Sequence, residues 1–322
     1  MAANSEEPSQ TPHAERKAAS VAILMCTKDG AAFLGEQLAS IARQTHDNWS
    51  LVVSDDGSRD ATLSILSRFA KNRPQTIAVR NGPQLGACAN FLSLATDPSI
   101  AADYFAFSDQ DDIWYEDKLK RALTWLGTIP ANVPAVYCGR TELVSNDGRS
   151  YGLSPLFSQP IAFRNAIVQS LGGGNTMVFN AAAKRLLETT GRLDVVLHDW
   201  WLYQLVSAVG GAIYYDPRPM LKYRQHADNL IGSNLGWGAR LVRLRMIFQG
   251  RFRDWNAKNI AALERVPAHL ITPQNRATLA RFAAARTAPL FKRLYYLKQS
   301  GVYRQTLLGN LGLILATILK RI

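Results

Sequence analysis

The sequence predicts an α/β fold, a mostly parallel central sheet flanked by helices. Three observations lead there. Short β-branched, apolar runs alternate with segments that carry apolar residues at helical spacing. Turn residues (Gly, Asp, Ser) separate them. Strand–helix–strand order demands right-handed crossovers, which set the strands parallel and the helices on both faces of the sheet.

The elements follow in order. VAILMC (Val21–Cys26) reads as a buried strand, and after the TKDG turn Phe33, Leu34, Leu38 and Ile41 mark a helix. WSLVVS (Trp49–Ser54) is a second strand; Asp60 or Ser58 then caps a helix carrying Leu63, Leu66 and Phe69. TIAVR (Thr76–Arg80) is a third strand, followed by a glycine-containing loop and a helix near Asn90–Ala95. YFAFS (Tyr104–Ser108) is a fourth, and a helix from about Glu116 presents Leu119, Leu123 and Leu126. Beyond Pro130 the order is less regular. PAVYCG, NTMVFN and AIYYD read as strands, AAAKRLLETT and HDWWLYQLVSAV (His198–Val209) as helices. From about Leu235 the pattern is helical and basic to the end.

With 322 residues, 47% of them hydrophobic, the chain buries a substantial core. Cys26, Cys88 and Cys138 are odd in number and lack disulfide or zinc spacing, so a reducing compartment is expected. Residues 1–20 are polar, without the apolar core of a signal peptide, and are expected to be a disordered tail. The longest apolar run, Leu307–Leu319, is interrupted by Asn310 and falls short of the roughly 20 residues that span a bilayer. Charge is uneven. Residues 1–217 hold 18 Lys and Arg against 22 Asp and Glu, whereas residues 218–322 hold 19 against 3. The second region is therefore expected to meet something anionic, and an anionic membrane leaflet is favoured. Nucleic acid is disfavoured, because no helix-turn-helix, zinc-finger or aromatic stacking pattern accompanies the charge.

Ligands of open parallel sheets sit beyond the carboxyl ends of the strands. There the sequence places Thr27-Lys28-Asp29-Gly30, Asp55-Asp56-Gly57-Ser58 and Asp109-Gln110-Asp111-Asp112. Carboxylates gathered on one edge are usually kept ionised by a cation, and hard oxygen ligands favour Mg²⁺ or Mn²⁺. TKDGAAFLG lacks the full GxGxxG fingerprint, and no GxxxxGK[ST] occurs. A divalent ion bound by aspartates is the remaining way to hold a diphosphate.

Six stretches occur in one order: VAILMCTKDGAAFLGEQLASIARQT, LVVSDDGSRD, NGPQLGACANFLSL, FAFSDQDDIW, GGGNTMVFN, and HDWW followed by YRQHADNLIG. Together, over roughly residues 20–232, they resemble the family 2 glycosyltransferases, in particular the rhamnosyltransferase-like branch that builds bacterial surface polysaccharides. The resemblance implies a GT-A-type nucleotide-diphospho-sugar transferase fold. Its catalytic domain would span 21–234, with a nucleotide-binding half (21–115) and an acceptor half (116–234). A basic helical region, 235–322, would follow. It implies inverting, metal-dependent transfer of a sugar, with rhamnose from a thymidine-linked donor in view, to a saccharide or lipid-linked saccharide. The place implied is the cytoplasmic face of the membrane.

Carried over residue by residue, Thr27, Asp29, Asp55, Asp56, Asn90 and Asp109 would line the nucleotide pocket. Asp109 and Asp111 would be the DxD pair, with Asp111 as metal ligand and His226 completing the shell. Asp199 falls where the family keeps its general base, and Arg224 would pair with the diphosphate. Gly173, Gly174, Asn175, His198, Trp200 and Trp201 would form the sugar and acceptor pocket. Lys28 and Asp29 depart from the family, which often has an aromatic residue and Asn there. Plainer readings stand beside these. Asp112 suits the cap of the helix near Glu116, DDGSRD a tight turn with a cap, and Asp199 the cap of its own helix. The two tryptophans suit core positions, and His226 suits an ordinary surface histidine. The competing function is a binding module that keeps the nucleotide pocket without catalysis.

Overall fold

The computed structural model describes residues 18–71, 73–225 and 250–322. One sheet organises the chain, in the order β3-β2-β1-β4-β8-β6-β9-β5, with β7 added alongside β6. β1 (Val21–Thr27), β2 (Trp49–Asp55), β3 (Ile77–Asn81) and β4 (Tyr104–Ser108) are mutually parallel. β1 lies between β2 and β4 and is buried along its whole length, which is why it reads as an unbroken apolar run. α1 (Leu34–Ala42), α2 (Thr62–Lys71) and α3 (Ala87–Ala95) are the crossovers between these strands. Asp60 holds the start of α2 by accepting from the Thr62 N–H at 2.9 Å.

Past β4 the sheet becomes mixed. β8 (Val178–Asn180) runs antiparallel to both β4 and β6 (Ala135–Val144), so β6 and its parallel neighbour β9 (Ala212–Arg224) point the same way as β1. Two-residue β5 (Ile113–Trp114) and β7 (Ser150–Leu153) pair antiparallel with β9 and β6. The sequence marks AIYYD as a strand that stops before Pro217, but β9 continues to Arg224. Irregularities in its register against β6, between Gly139 and Glu142, let the ladder pass Pro217 and Pro219, which cannot donate. Arg224 therefore sits on the strand rather than after it.

α4 (Lys118–Leu126), α5 (Phe163–Ala166), α6 (Ala181–Thr190) and α7 (His198–Ala208) complete the middle of the chain. Asn180 caps α6 by accepting from the Ala183 N–H. All eleven residues of α7 are buried. A helix enclosed on every side needs a second cover opposite the sheet, and residues 250–322 supply it. They form α8 (Arg251–Glu264), α9 (Pro273–Thr287), α10 (Leu290–Ser300) and α11 (Leu307–Ile318). Trp255 of α8 meets Trp200 edge-to-face at 6.2 Å, and the Asn275 amide donates to the Ser207 and Ala208 carbonyls at the end of α7. Ile260, Leu263, Leu279, Phe282 and Leu313 join α7 in one core. No helix among the described residues is long and apolar enough to cross a membrane.

Candidate active site

The carboxyl ends of β1, β2 and β4 carry the acidic segments. Asp55 closes the turn after β2. Its carboxylate accepts from the Gly57 and Ser58 N–H groups at 3.2 and 2.8 Å and from the Ser58 and Thr27 hydroxyls at 2.6 and 2.8 Å. Burial works to raise its pKa, but these hydrogen bonds win and hold it below the ordinary carboxylate range. Four accepted bonds saturate a carboxylate. Among the described residues Asp56 accepts two, from the Gln84 N–H at 2.6 Å and the Gly86 N–H at 3.2 Å, and so fastens the loop before α3. Asn90 donates to the Ser54 carbonyl at 2.9 Å, while its own buried Oδ1 has no hydrogen-bond partner. Asp29 adopts φ 47° and receives the Arg59 N–H, which binds the β1 turn to the β2 turn.

The DQDD segment is held from several sides. Gln37 of α1 donates to the Ser108 hydroxyl at 2.8 Å and the Asp109 carbonyl at 3.1 Å. Further along, Ser40 accepts from the Trp114 N–H and Gln44 bonds Tyr115 and Leu119. Gln110 turns away from the aspartates and forms a two-way amide pair with the Lys28 backbone at 2.9 Å each way. Gly30 makes room for it, since a Cβ there would lie 2.2 Å from Gln110 Oε1. Arg224 stacks over Phe33 at 4.6 Å, ion-pairs with Glu36 at 2.6 Å and donates to the Asn146 carbonyl at 2.6 Å and the Asp111 carbonyl at 3.4 Å. It braces the acidic loop through the backbone. His226 lies outside the described residues.

Carboxylate oxygens of Asp109, Asp111 and Asp112 converge within 4.8 Å of one another. Asp112 is not a helix cap. It is fully buried, its Oδ2 accepts from the Asn175 amide at 2.7 Å and its Oδ1 has no partner among the described residues; Asp117 stands at the start of α4 instead. Desolvation, then repulsion from Asp111 and Asp199, pushes Asp109 up to about 7 against the pull of Lys118. Desolvation and its two acidic neighbours also hold Asp112 well above the ordinary carboxylate range. Lys118 is buried beneath the cluster, 3.2 Å from the Trp114 ring centre, and donates to the Asn175 carbonyl at 2.5 Å. Desolvation drives its pKa well down despite Asp112 and Asp109. Three converging carboxylates, one with an orphaned buried oxygen, fit a hard divalent cation, whose charge would offset the penalty on Asp109 and Asp112.

Asp199 faces this cluster from the first turn of α7. Its Oδ2 accepts from the Gly174 N–H at 2.9 Å and its Oδ1 from the Trp200 N–H at 2.5 Å. Burial outweighs these bonds and raises its pKa to about 6. The 3-10 turn Gly174–Thr176 thus ties the acidic loop to the start of α7, because Asn175 holds Asp112 and Lys118 while Gly174 holds Asp199. His198 stacks on Phe91 at 4.0 Å, and burial lowers its pKa to about 3. Trp200 and Trp201 lie in the core, and the Trp200 indole donates to the Ala166 carbonyl at 2.6 Å.

Residues 22–187 match the family model for glycosyl transferase family 2. The chain belongs to that family. This glycosyltransferase is 32% identical over 254 residues to the dTDP-rhamnosyl transferase RfbG of Shigella flexneri, covering 74% of this chain and 84% of that one, and is rhamnosyltransferase-like. Among solved structures it is similar to a mannosyltransferase of Pyrobaculum calidifontis in complex with GDP-Man and Mn²⁺ (TM-score 0.54, 17% identity, 98% of this chain and 89% of that one). It is also similar to S. aureus TarS 1–349 in complex with UDP-GlcNAc (TM-score 0.52, 14% identity, 88% and 93%). These two likenesses establish the GT-A-like fold.

Of the site residues expected from the sequence, the glycosyltransferase brings Asp109, Asp111, Asn175 and Asp199 to one place, and Thr27, Asp29, Asp55, Asp56 and Asn90 to the adjoining turns. Sequence reasoning missed Lys118, Gln110 and the polar row Gln37, Ser40 and Gln44. That row had a signal: three polar residues at helical spacing, Gln37 and Ser40 on the apolar face of α1 and Gln44 just past its end. Lys118 had none, since a lysine opening a helix reads as exposed.

Gly174 is constrained by contact. A Cβ there would lie 2.3 Å from His198 Nε2 and 3.3 Å from Asp199 Cβ. Gly174→Ala is expected to destabilise the fold by about 1–3 kcal/mol in urea unfolding. Gly35→Ala, at an exposed position in α1 with nothing within 4 Å, is expected to be stabilising by roughly 0.5–1 kcal/mol. Equal effects in the two variants would show that the turn is not tightly packed.

Proposed function

We propose that this glycosyltransferase is an inverting, metal-dependent enzyme. It moves rhamnose from a thymidine-diphosphate donor to a saccharide or lipid-linked saccharide in cell-surface polysaccharide synthesis, and works at the cytoplasmic face of the membrane. One observation carries the reading: Asp199, held by two backbone N–H groups, faces a convergent acidic cluster across the end of the sheet. The donor assignment draws on the likeness to the dTDP-rhamnosyl transferase.

Asp109, Asp111 and Asp112 would hold Mn²⁺ or Mg²⁺, and His226 is assigned to the same shell. When bound, the ion would supply Lewis acidity where charge develops on the diphosphate. Asp56, with acceptor sites to spare, contacts the nucleoside, while the saturated Asp55 shapes the turn with Thr27 and Asp29. Asn90, with its free Oδ1, lines the same pocket. Asp199 takes the proton of the attacking hydroxyl. A single base opposite the leaving group means one displacement, which inverts the anomeric centre. Gly173, Gly174 and His198 bring the backbone close to the sugar, with Trp200 and Trp201 packed behind them. Arg224 keeps the acidic loop in place for the diphosphate.

Incubation with thymidine-, uridine- and guanosine-diphosphate sugars, a lipid-linked saccharide and Mn²⁺ tests this reading. Free thymidine diphosphate is expected from the rhamnose donor, with the anomeric configuration of the product inverted. Retention of configuration, or no dependence on a divalent ion, would overturn it.

A further inference from the structure

α11 is almost wholly apolar, and among the described residues most of it is uncovered. Leu313, Ala316 and Thr317 are its only buried residues, while Leu307, Leu308, Leu311, Ile314 and Ile318 stand exposed on the described structure, Leu307 at 76%. These positions recur at three- and four-residue steps and form a row along the helix. Phe291, 85% exposed, extends the apolar surface onto α10, which packs against α11. Arg293 secures that contact by donating to the Thr317 and Ile318 carbonyls. The twelve-residue helix is about 18 Å long, too short for a hydrocarbon core of roughly 30 Å.

Charge selects the occupant. The last acidic residue of the chain is Glu264, and residues 265–322 contain ten Lys and Arg. Lys292 and Lys298 of α10 and Lys320 just past α11 are exposed, and no charged residue interrupts α11 itself. A second copy of the chain would set this cationic surface against its like, which is repulsive. Nucleic acid would satisfy the charge but leave the leucine row without a partner. An anionic bilayer answers both features, with acyl chains beneath the leucines and lipid headgroups beside the lysines.

We propose that α11, with Phe291 of α10, is a bilayer-seating element that lies in the plane of an anionic lipid surface. This deepens the reading of the enzyme as peripheral at the membrane and is independent of its donor chemistry. It also gives the cover over α7 a second use, because the loop between α10 and α11 bonds to the 159–169 segment. Arg304 donates to the Val168 carbonyl, and Gln305 bonds Gln159, Asn165 and Gln169.

Flotation of the full chain with vesicles of phosphatidylcholine, alone or mixed with phosphatidylglycerol, is the test. Wild-type protein is expected to float with the anionic vesicles and weakly with the neutral ones. Leu311→Glu combined with Ile318→Glu, both at exposed positions, is expected to lower vesicle affinity on the order of 10-fold or more. Metal-dependent hydrolysis of the donor and the thermal unfolding midpoint should stay unchanged. Lys292→Glu with Lys320→Glu is expected to remove mainly the preference for anionic lipid. Failure of wild-type protein to float, or equal flotation of the Glu double variant, overturns the proposal, while sugar transfer by the same preparation leaves the enzyme reading intact. Light scattering that shows a dimer, made monomeric by the Glu pair with vesicle binding unaltered, would reassign the face to self-association and also overturn it.

Discussion

Asp199→Asn is expected to lower sugar transfer by about 10²–10⁴-fold while the protein stays folded. The physical case is that the carboxylate has paid for its position. Burial raises its pKa from the ordinary 3.8 to about 6, so keeping it ionised at pH 7 costs about 3 kcal/mol of stability. The sign follows from the direction of the shift. The unfolded chain ionises this group more readily, so its contribution to stability is best at low pH and declines as pH rises from about 4 to about 6. Asparagine removes that cost but loses one acceptor for the Gly174 or Trp200 N–H, roughly 1–3 kcal/mol. The two terms nearly cancel, and the unfolding midpoint should stay close to wild type. In wild-type enzyme the base must be ionised, so transfer should fall as pH drops below about 6. A folded Asp199→Asn protein with full activity would remove this aspartate from the chemistry.

The second large effect is expected at Asp111. Replacing it with Asn takes one charge from the convergent trio and leaves Asp109 and the buried Asp112 to hold a cation alone. Calorimetric titration with Mn²⁺ should show affinity reduced on the order of 10²-fold, with transfer reduced at least in parallel. Direct binding matters because it reads the site without relying on turnover. Asp111 is half-exposed, and its backbone carbonyl, which receives Arg224, is untouched by the change, so the loop should keep its shape. Undiminished Mn²⁺ binding would mean that the cluster is a structural knot rather than an ion site. Such a knot would be costly, since Asp112 Oδ1 is buried with no hydrogen-bond partner.

Much of this was legible from the chain because the relevant signals are local. Continuous apolar runs mark β1, β2 and β4, and the acidic residues that follow them must emerge on one edge, since parallel strands share their carboxyl ends. β9 was harder. Two prolines argue for a loop, and the strand survives only because its register against β6 shifts around them. Asp112 was harder still: at the mouth of a helix it reads as a cap, and only the approach of Asn175, 63 positions later, turns it inward. Asp55 and Asp56 look equivalent in sequence, whereas in the fold one is saturated by its own turn and the other retains acceptor capacity.

By itself the amino-acid sequence determined the alternation of elements, the acidic edge, the family and the imbalance of charge toward the C-terminal region. These depend on composition and on spacing within a few residues. Tertiary structure decided the rest: that Lys118 is buried beneath the aspartates, that one 3-10 turn links Asp112 to Asp199, and that the basic helices enclose α7 while the leucine row of α11 stays exposed among the described residues. The reason is that burial and electrostatic partnership belong to groups distant along the chain, and no local pattern encodes which of them will meet.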